Sequence, residues 1–147
     1  MSDERVNAVT ITLERDYEFR IRFDAFAEAD ELLSDEPPPL GGGKGPNPSA
    51  MLAAAVGNCL AASLVHCLRR SRVEVKGLQA LVRARIARNP AGRLRVTGID
   101  VEVKPELSAA HLDRLERCKT LFEDFCVVSS AVRQGVPIAV TVTPVVG

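Results

Sequence analysis

The feature that most constrains this chain is the stretch from about Pro48 to about Arg70, in which Ala, Leu, Val and Met occupy nearly every side of the first two-thirds. Asn47 is a suitable N-cap for a helix there, and Pro48 a suitable first helical residue, because its missing N–H would have no partner at that position. Arg69, Arg70 and Arg72 gather at the far end, where positive charge suits the helix dipole. At 1.5 Å per residue the segment forms a rod roughly 33 Å long. A helix that is apolar all round must be enclosed. Gly57, Asn58, Ser63 and His66 interrupt it, and Ala dominates it, so the expected enclosure is protein rather than lipid. A chain of 147 residues with one other long helix can hardly enclose it unaided, so a dimer is expected.

The segments around this helix alternate as strands do. Residues 6–13 and 17–23 read as a β-hairpin, with Tyr17, Phe19, Ile21 and Phe23 on one face of the second strand and Glu18, Arg20 and Arg22 on the other. Residues 25–45 read as a long loop ending in Pro37–Pro39 and Gly41–Gly43. Residues 73–87 and 94–103 form a second expected hairpin around the turn-like Asn89, Pro90, Ala91 and Gly92. Ser108 caps an expected helix reaching about Phe125, a short helical turn covers 127–134, and a last strand is expected over 138–143. Paired strands that do not alternate with helices indicate an α+β protein with mainly antiparallel sheet, in one domain over residues 1–147.

Charge and composition narrow the function. Nineteen basic and nineteen acidic side chains leave no net charge, and one Tyr, five Phe and no Trp offer no stacking platform, so nucleic acid is not an expected partner. The opening MSDERVNAVT places charge before any apolar run, the wrong order for a secretory signal, and a cytoplasmic location is expected. Four cysteines in a reducing compartment do not read as a disulfide scaffold, and no CxxC pair offers zinc spacing, so neither metal nor cofactor is expected. Cys59 and Cys67 lie eight residues apart on the expected helix, about 12 Å of rise, beyond the roughly 4.4–6.8 Å that a disulfide spans. Cys118 and Cys126 have the same spacing. A pair must therefore join the two segments, and four such pairs are possible. Cys59 follows the small and polar Gly57 and Asn58, and Cys126 stands at a helix junction whose free N–H groups can stabilise a thiolate. On these features alone each of the four, Cys67 and Cys118 among them, reads as a buried small hydrophobe. His66 is seven residues from Cys59, about 10 Å along a helix, and reads as structural.

Two stretches resemble the OsmC/Ohr family, the osmotically inducible protein C and organic hydroperoxide resistance proteins. Gly45-Pro-Asn-Pro-Ser-Ala-Met-Leu-Ala-Ala-Ala-Val-Gly-Asn-Cys59 is similar to the family's helix leading to a peroxidatic cysteine. Cys126-Val-Val-Ser-Ser-Ala-Val-Arg-Gln-Gly-Val-Pro-Ile138 is similar to its resolving-cysteine segment. The resemblance implies an OsmC-like fold, with antiparallel sheets wrapped around a long central helix in an intertwined homodimer. It also implies a thiol-dependent peroxidase for organic hydroperoxides, in which Cys59 becomes a sulfenic acid, condenses with Cys126, and is restored by an external thiol of dithiol or lipoyl type. In the family an Arg lowers the thiol pKa and a Glu directly after the Asn-Pro holds that Arg. Arg20 and Arg22 are the expected cations here, whereas Ser49 stands where the Glu would be. Asp35 and Glu36 are candidates for the missing carboxylate. The departure at Ser49 motivates the alternative, a binding or structural dimer of the same fold with weak or no peroxidase activity.

Overall fold

The computed structural model describes residues 4–147. The chain divides into two compact units, one comprising the described residues up to Ala53 with Ile86–Thr97, the other Ala54–Arg85 with Gly98–Gly147. In the first unit, β1 (Val9–Arg15) and β2 (Glu18–Phe23) form the expected hairpin, turning at Asp16, whose φ is +47°. Ile11 faces Ile21 and Thr12 faces Arg20, with a bulge between Leu13 and Arg15. Alternation predicts the inward face at Ile21, which is buried, while Glu18 is also buried because Lys44 and Arg15 pair with it.

The expected loop over 25–45 holds more structure than its composition indicates. A 3-10 turn, Asp24–Phe26, is followed by β3 (Leu32–Ser34), which adds antiparallel to β2 and completes a three-stranded sheet in the order β1-β2-β3. Three residues are too few to show alternation, which is why the strand is invisible in the sequence. The remainder of the loop is organised by Asp35, nearly fully buried, whose carboxylate accepts the N–H groups of Glu36 at 2.7 Å and of Gly42 and Lys44 at 3.1 Å each. Gly41 has to be a glycine here, since a Cβ would meet the Glu36 carbonyl and the Asp35 carboxylate.

The long helix α1 spans Pro48–Arg70 as expected. The Asn47 side chain accepts the Ala50 N–H at 3.0 Å and the Ser49 hydroxyl at 3.1 Å, so the cap read from the sequence forms. At the other end Val73 N–H reaches the Leu68 carbonyl and Arg72 N–H the Arg69 carbonyl, a Schellman closure with Arg72 in the left-handed position at φ +60°. That closure folds Val73 back onto Leu68, and both join Leu64 and Cys118 in the buried core of the second unit. After it come β4 (Gly77–Arg88) and β5 (Leu94–Glu106), the second expected hairpin, with Asn89 closing its turn onto Arg93.

The expected helix after Ser108 is built in three pieces. Ser108 caps a 3-10 turn (Ala109–His111), α2 runs Leu112–Leu121, and a second 3-10 turn (Phe122–Phe125) leads to Cys126 and then α3 (Val127–Gln134). Gly135 stops α3 at φ +78°. The strand expected over 138–143 does not form: residues 135–147 adopt no regular element, and Ile138, Val140 and Val142 stay exposed. Their alternation is that of a strand, but they pair with no edge among the described residues, and backbone groups without a ladder do not hold a strand.

Candidate active site

The site is assembled in the second unit by α1 and the start of α3. Cys59 lies in the middle of α1, and Ser63 follows it by one turn on the same face. Gly57 lets β4 approach this part of the helix, because a Cβ there would collide with the stiff Val82 side chain. Cys126 is the N-cap of α3 and is almost completely buried. Its N–H is spent on the Glu123 carbonyl at 3.1 Å, and its carbonyl accepts from Ser130 at 3.3 Å. The Arg133–Glu123 ion pair, 2.8 Å, braces α3 against the 3-10 turn before it.

The first turn of α3 meets Cys59 directly: the Val128 N–H donates to Cys59 Sγ at 3.4 Å. The two free thiols, Cys59 half-buried and Cys126 buried, are thereby neighbours with a hydrogen-bonding relation between their side chains. Burial pushes the Cys126 thiol up, but Cys59, the hydroxyl and N–H of Ser129, and Ser63 together outweigh it, and the thiol lies below its ordinary value. The Ser129 hydroxyl is close enough to the sulfur to favour the thiolate, yet it makes no hydrogen bond of good geometry with any described residue. His66, exposed, packs edge-on against Phe125 with ring centroids 6.5 Å apart.

The other two cysteines are joined. Cys67 and Cys118 form a disulfide with Cα atoms 5.9 Å apart, one of the four pairs left open by spacing, which corrects the expectation that they serve only as core. The pairing follows from packing: α2 lies on the C-terminal end of α1, and Cys118, Leu64 and Leu68 share one cluster. Arg114 donates to the Ser71 carbonyl at 3.1 Å beside it.

Arg20 and Arg22 belong to the first unit. The Arg20 guanidinium pairs with Glu14 at 2.6 Å and Glu31 at 4.0 Å, and that of Arg22 with Asp24 at 3.1 Å. Asp35 is committed to its own loop, as described above. A cavity of about 410 Å³ in the first unit is lined by Leu52, Ile86, Leu94 and Val96, with Glu36 and Arg95 among its polar residues. Among the described residues no group of three or more His, Cys, Asp or Glu could hold a metal. Sequence reasoning missed the buried Ser63; the four-residue spacing from Cys59 puts it on the same helix face but does not reveal its place beside Cys126.

The fold and the thiol pair define a class, and comparison with known proteins gives it a family. The sequence profile of the OsmC-like proteins matches residues 41–141. The chain belongs to the OsmC-like family. Among solved structures it is similar to an OsmC-like protein of unknown function from Vibrio cholerae, with TM-score 0.74 and 17% identity over 87% of this chain and 94% of that one. It is also similar to an organic hydroperoxide resistance protein from Legionella pneumophila, with TM-score 0.67 and 15% identity over 90% of this chain and 92% of that one. A third is the organic hydroperoxide resistance protein of Bacillus subtilis, with TM-score 0.62 and 18% identity over 88% and 91%. No curated protein sequence matches this chain.

Proposed function

We propose that this protein is a thiol-dependent peroxidase that reduces organic hydroperoxides. The observation that carries the reading is the pair of free thiols, Cys59 and Cys126, held together at the first turn of α3. Cys59 thiolate attacks the distal oxygen of the hydroperoxide, the O–O bond breaks, and protonation of the departing alkoxide gives an alcohol and Cys59 sulfenic acid. Cys126 then displaces the sulfenic oxygen as water, forming a Cys59–Cys126 disulfide, and an external dithiol of lipoyl type reduces it by exchange. Arg20 and Arg22 are the proposed candidates for the cation this chemistry needs. The ion pairs of Arg20 with Glu14 and Glu31 support reading it as a carboxylate-held arginine despite Ser49.

The working form is a homodimer of one OsmC-like domain per chain, in the cytoplasm. Support comes from apolar surface that a monomer leaves in water. On α1 the exposed positions Ala54, Ala55, Asn58, Ala62 and His66 recur at helical spacing, and β1 is exposed along its whole length. By length and composition α1 could also cross a membrane, but a partner chain covers the same stripe while tolerating Asn58 and His66.

The test is consumption of an alkyl hydroperoxide in the presence of a dithiol, with peptide mapping of the oxidised chain. Wild type turns over and yields a Cys59–Cys126 disulfide, Cys59→Ser is inactive, and Arg20→Ala and Arg22→Ala lose rate. A Cys59→Ser variant that retained the wild-type rate, or a wild type inert to several hydroperoxides, would overturn the reading in favour of a binding dimer.

A further inference from the structure

Ser129 presents a problem that the peroxidase cycle, as outlined, does not use. Its side chain is 96% buried, at 4% relative exposure, and its hydroxyl oxygen has no hydrogen-bond partner among the described residues. A buried hydroxyl without a partner costs free energy, and such a group calls for an explanation. It stands at the third position of α3, within hydrogen-bonding reach of the Cys126 sulfur, which Cys59 also reaches. The adjacent Val128 N–H is aimed at Cys59 Sγ. The first turn of α3 thus turns two donors toward the thiol pair, and in the reduced protein the Ser129 hydroxyl has only the Cys126 sulfur within reach and no hydrogen bond of good geometry.

Oxidation of Cys59 supplies what is missing. A sulfenic acid is the same sulfur with one more oxygen, and that oxygen is an acceptor located where none existed before. We propose that Ser129 is a catalytic residue of the second half-reaction, its hydroxyl donating to the oxygen that Cys59 acquires, so that Cys126 meets the sulfur on the side opposite a held leaving group. This rests on the peroxidase reading given above. In the step itself the Cys126 sulfur forms a bond to Cys59 Sγ, the S–O bond breaks, and the oxygen departs with its own hydrogen and the proton released by the Cys126 thiol, leaving as water. Neither oxidant nor reductant enters beyond the hydroperoxide already spent. Because water leaves, Ser129, which keeps its proton throughout, returns to its original state.

Three consequences separate this from a packing role. Removing a hydroxyl that has no partner does not weaken the reduced protein, so Ser129→Ala melts at or above the wild-type temperature. Oxidation of Cys59 by one equivalent of cumene hydroperoxide, followed by trapping of the sulfenic acid with dimedone, stays within about twofold of wild type, because the hydroxyl acts only after that step. Closure of the Cys59–Cys126 disulfide slows by about tenfold or more, as expected when one donor to a developing oxyanion is lost. Excess hydroperoxide then converts more Cys59 to sulfinic acid, read as a mass gain on its peptide, because the sulfenic acid waits longer for its partner.

Rapid-quench peptide mapping of wild type and Ser129→Ala, with the melting curves of both, decides the matter. Slow closure with normal first oxidation and an undiminished melting temperature supports the proposal. A variant that closes its disulfide at the wild-type rate overturns it while leaving the peroxidase reading intact. A variant that melts lower and loses both steps together shows a structural residue and also overturns it. A wild type whose Cys59 stays reduced overturns the peroxidase reading and this proposal with it.

Discussion

Two residues show how single side chains decide local structure. Asp35 holds the loop after β3 by accepting three backbone N–H groups. The Lys44 N–H does most to hold its carboxyl below the ordinary value of 3.8; burial opposes this, and the Glu36 and Gly42 N–H groups and the Lys44 charge assist. A carboxylate depressed on folding stabilises the fold fully above its unfolded pKa, and that contribution disappears as pH falls through the lower folded value. The loop is therefore expected to loosen below about pH 4, and amide exchange at Gly42 and Lys44 should rise there ahead of the amides of α1. In Asp35→Asn the same amides should exchange fast even at neutral pH. Arg72 presents the opposite case. It occupies a left-handed position that suits glycine, at a cost of roughly 1 kcal/mol. Arg72→Gly should therefore raise the melting temperature by a few degrees, and an unchanged or lower value would mean that the Arg72 side chain does more than tolerate its backbone. Legibility differs between residues for the same physical reason. Asn47 could be read as a cap because capping is local, acting over three residues. The role of Ser63 beside Cys126 could not, because it depends on α3 arriving from more than sixty residues away.

At the level of elements, the sequence signals that proved sufficient were those carried by one segment. The long helix, both hairpins and the short helix after Cys126 follow from periodicity, capping and turn residues. What failed depended on a partner element: β3 exists because β2 offers an edge, and the strand expected over 138–143 is absent because no edge meets it. The Cys67–Cys118 disulfide is of the same kind, one of four pairs allowed by spacing and selected by the packing of α2 on α1. It closes a loop over a separation of 51 residues, for which chain entropy gives about 4 kcal/mol of stabilisation. Replacing both partners, Cys67→Ala with Cys118→Ala, should lower stability by about that amount in urea titration. A loss below about 1 kcal/mol would mean that the packing of α2 suffices without the covalent link.

At the level of the whole molecule, the apolar segment that opened the sequence reading still has an unsatisfied face, and so has the C-terminal tail. Val136, Ile138, Val140 and Val142 alternate in water on a tail that no sheet of its own chain takes up. The proposed second copy would cover both. Light scattering after gel filtration should give the mass of a dimer, and a chain ending at Gly135 should give a monomer or aggregate; a wild-type monomer at micromolar concentration would remove the homodimer from the proposal.

The placement of one member of each cysteine pair on α1 has a practical consequence for any assay of turnover. In the proposed cycle Cys59 is re-reduced at every turnover, and the Cys67–Cys118 disulfide that ties α2 to α1 is exposed to the same dithiol in the tube. Rate plotted against dithiol concentration should therefore climb, level, and then decline as the tie is cut, whereas the variant lacking both Cys67 and Cys118 should climb and level without the decline. A reductant chosen generously, as is usual for thiol enzymes, would make a sound enzyme look like a poor one.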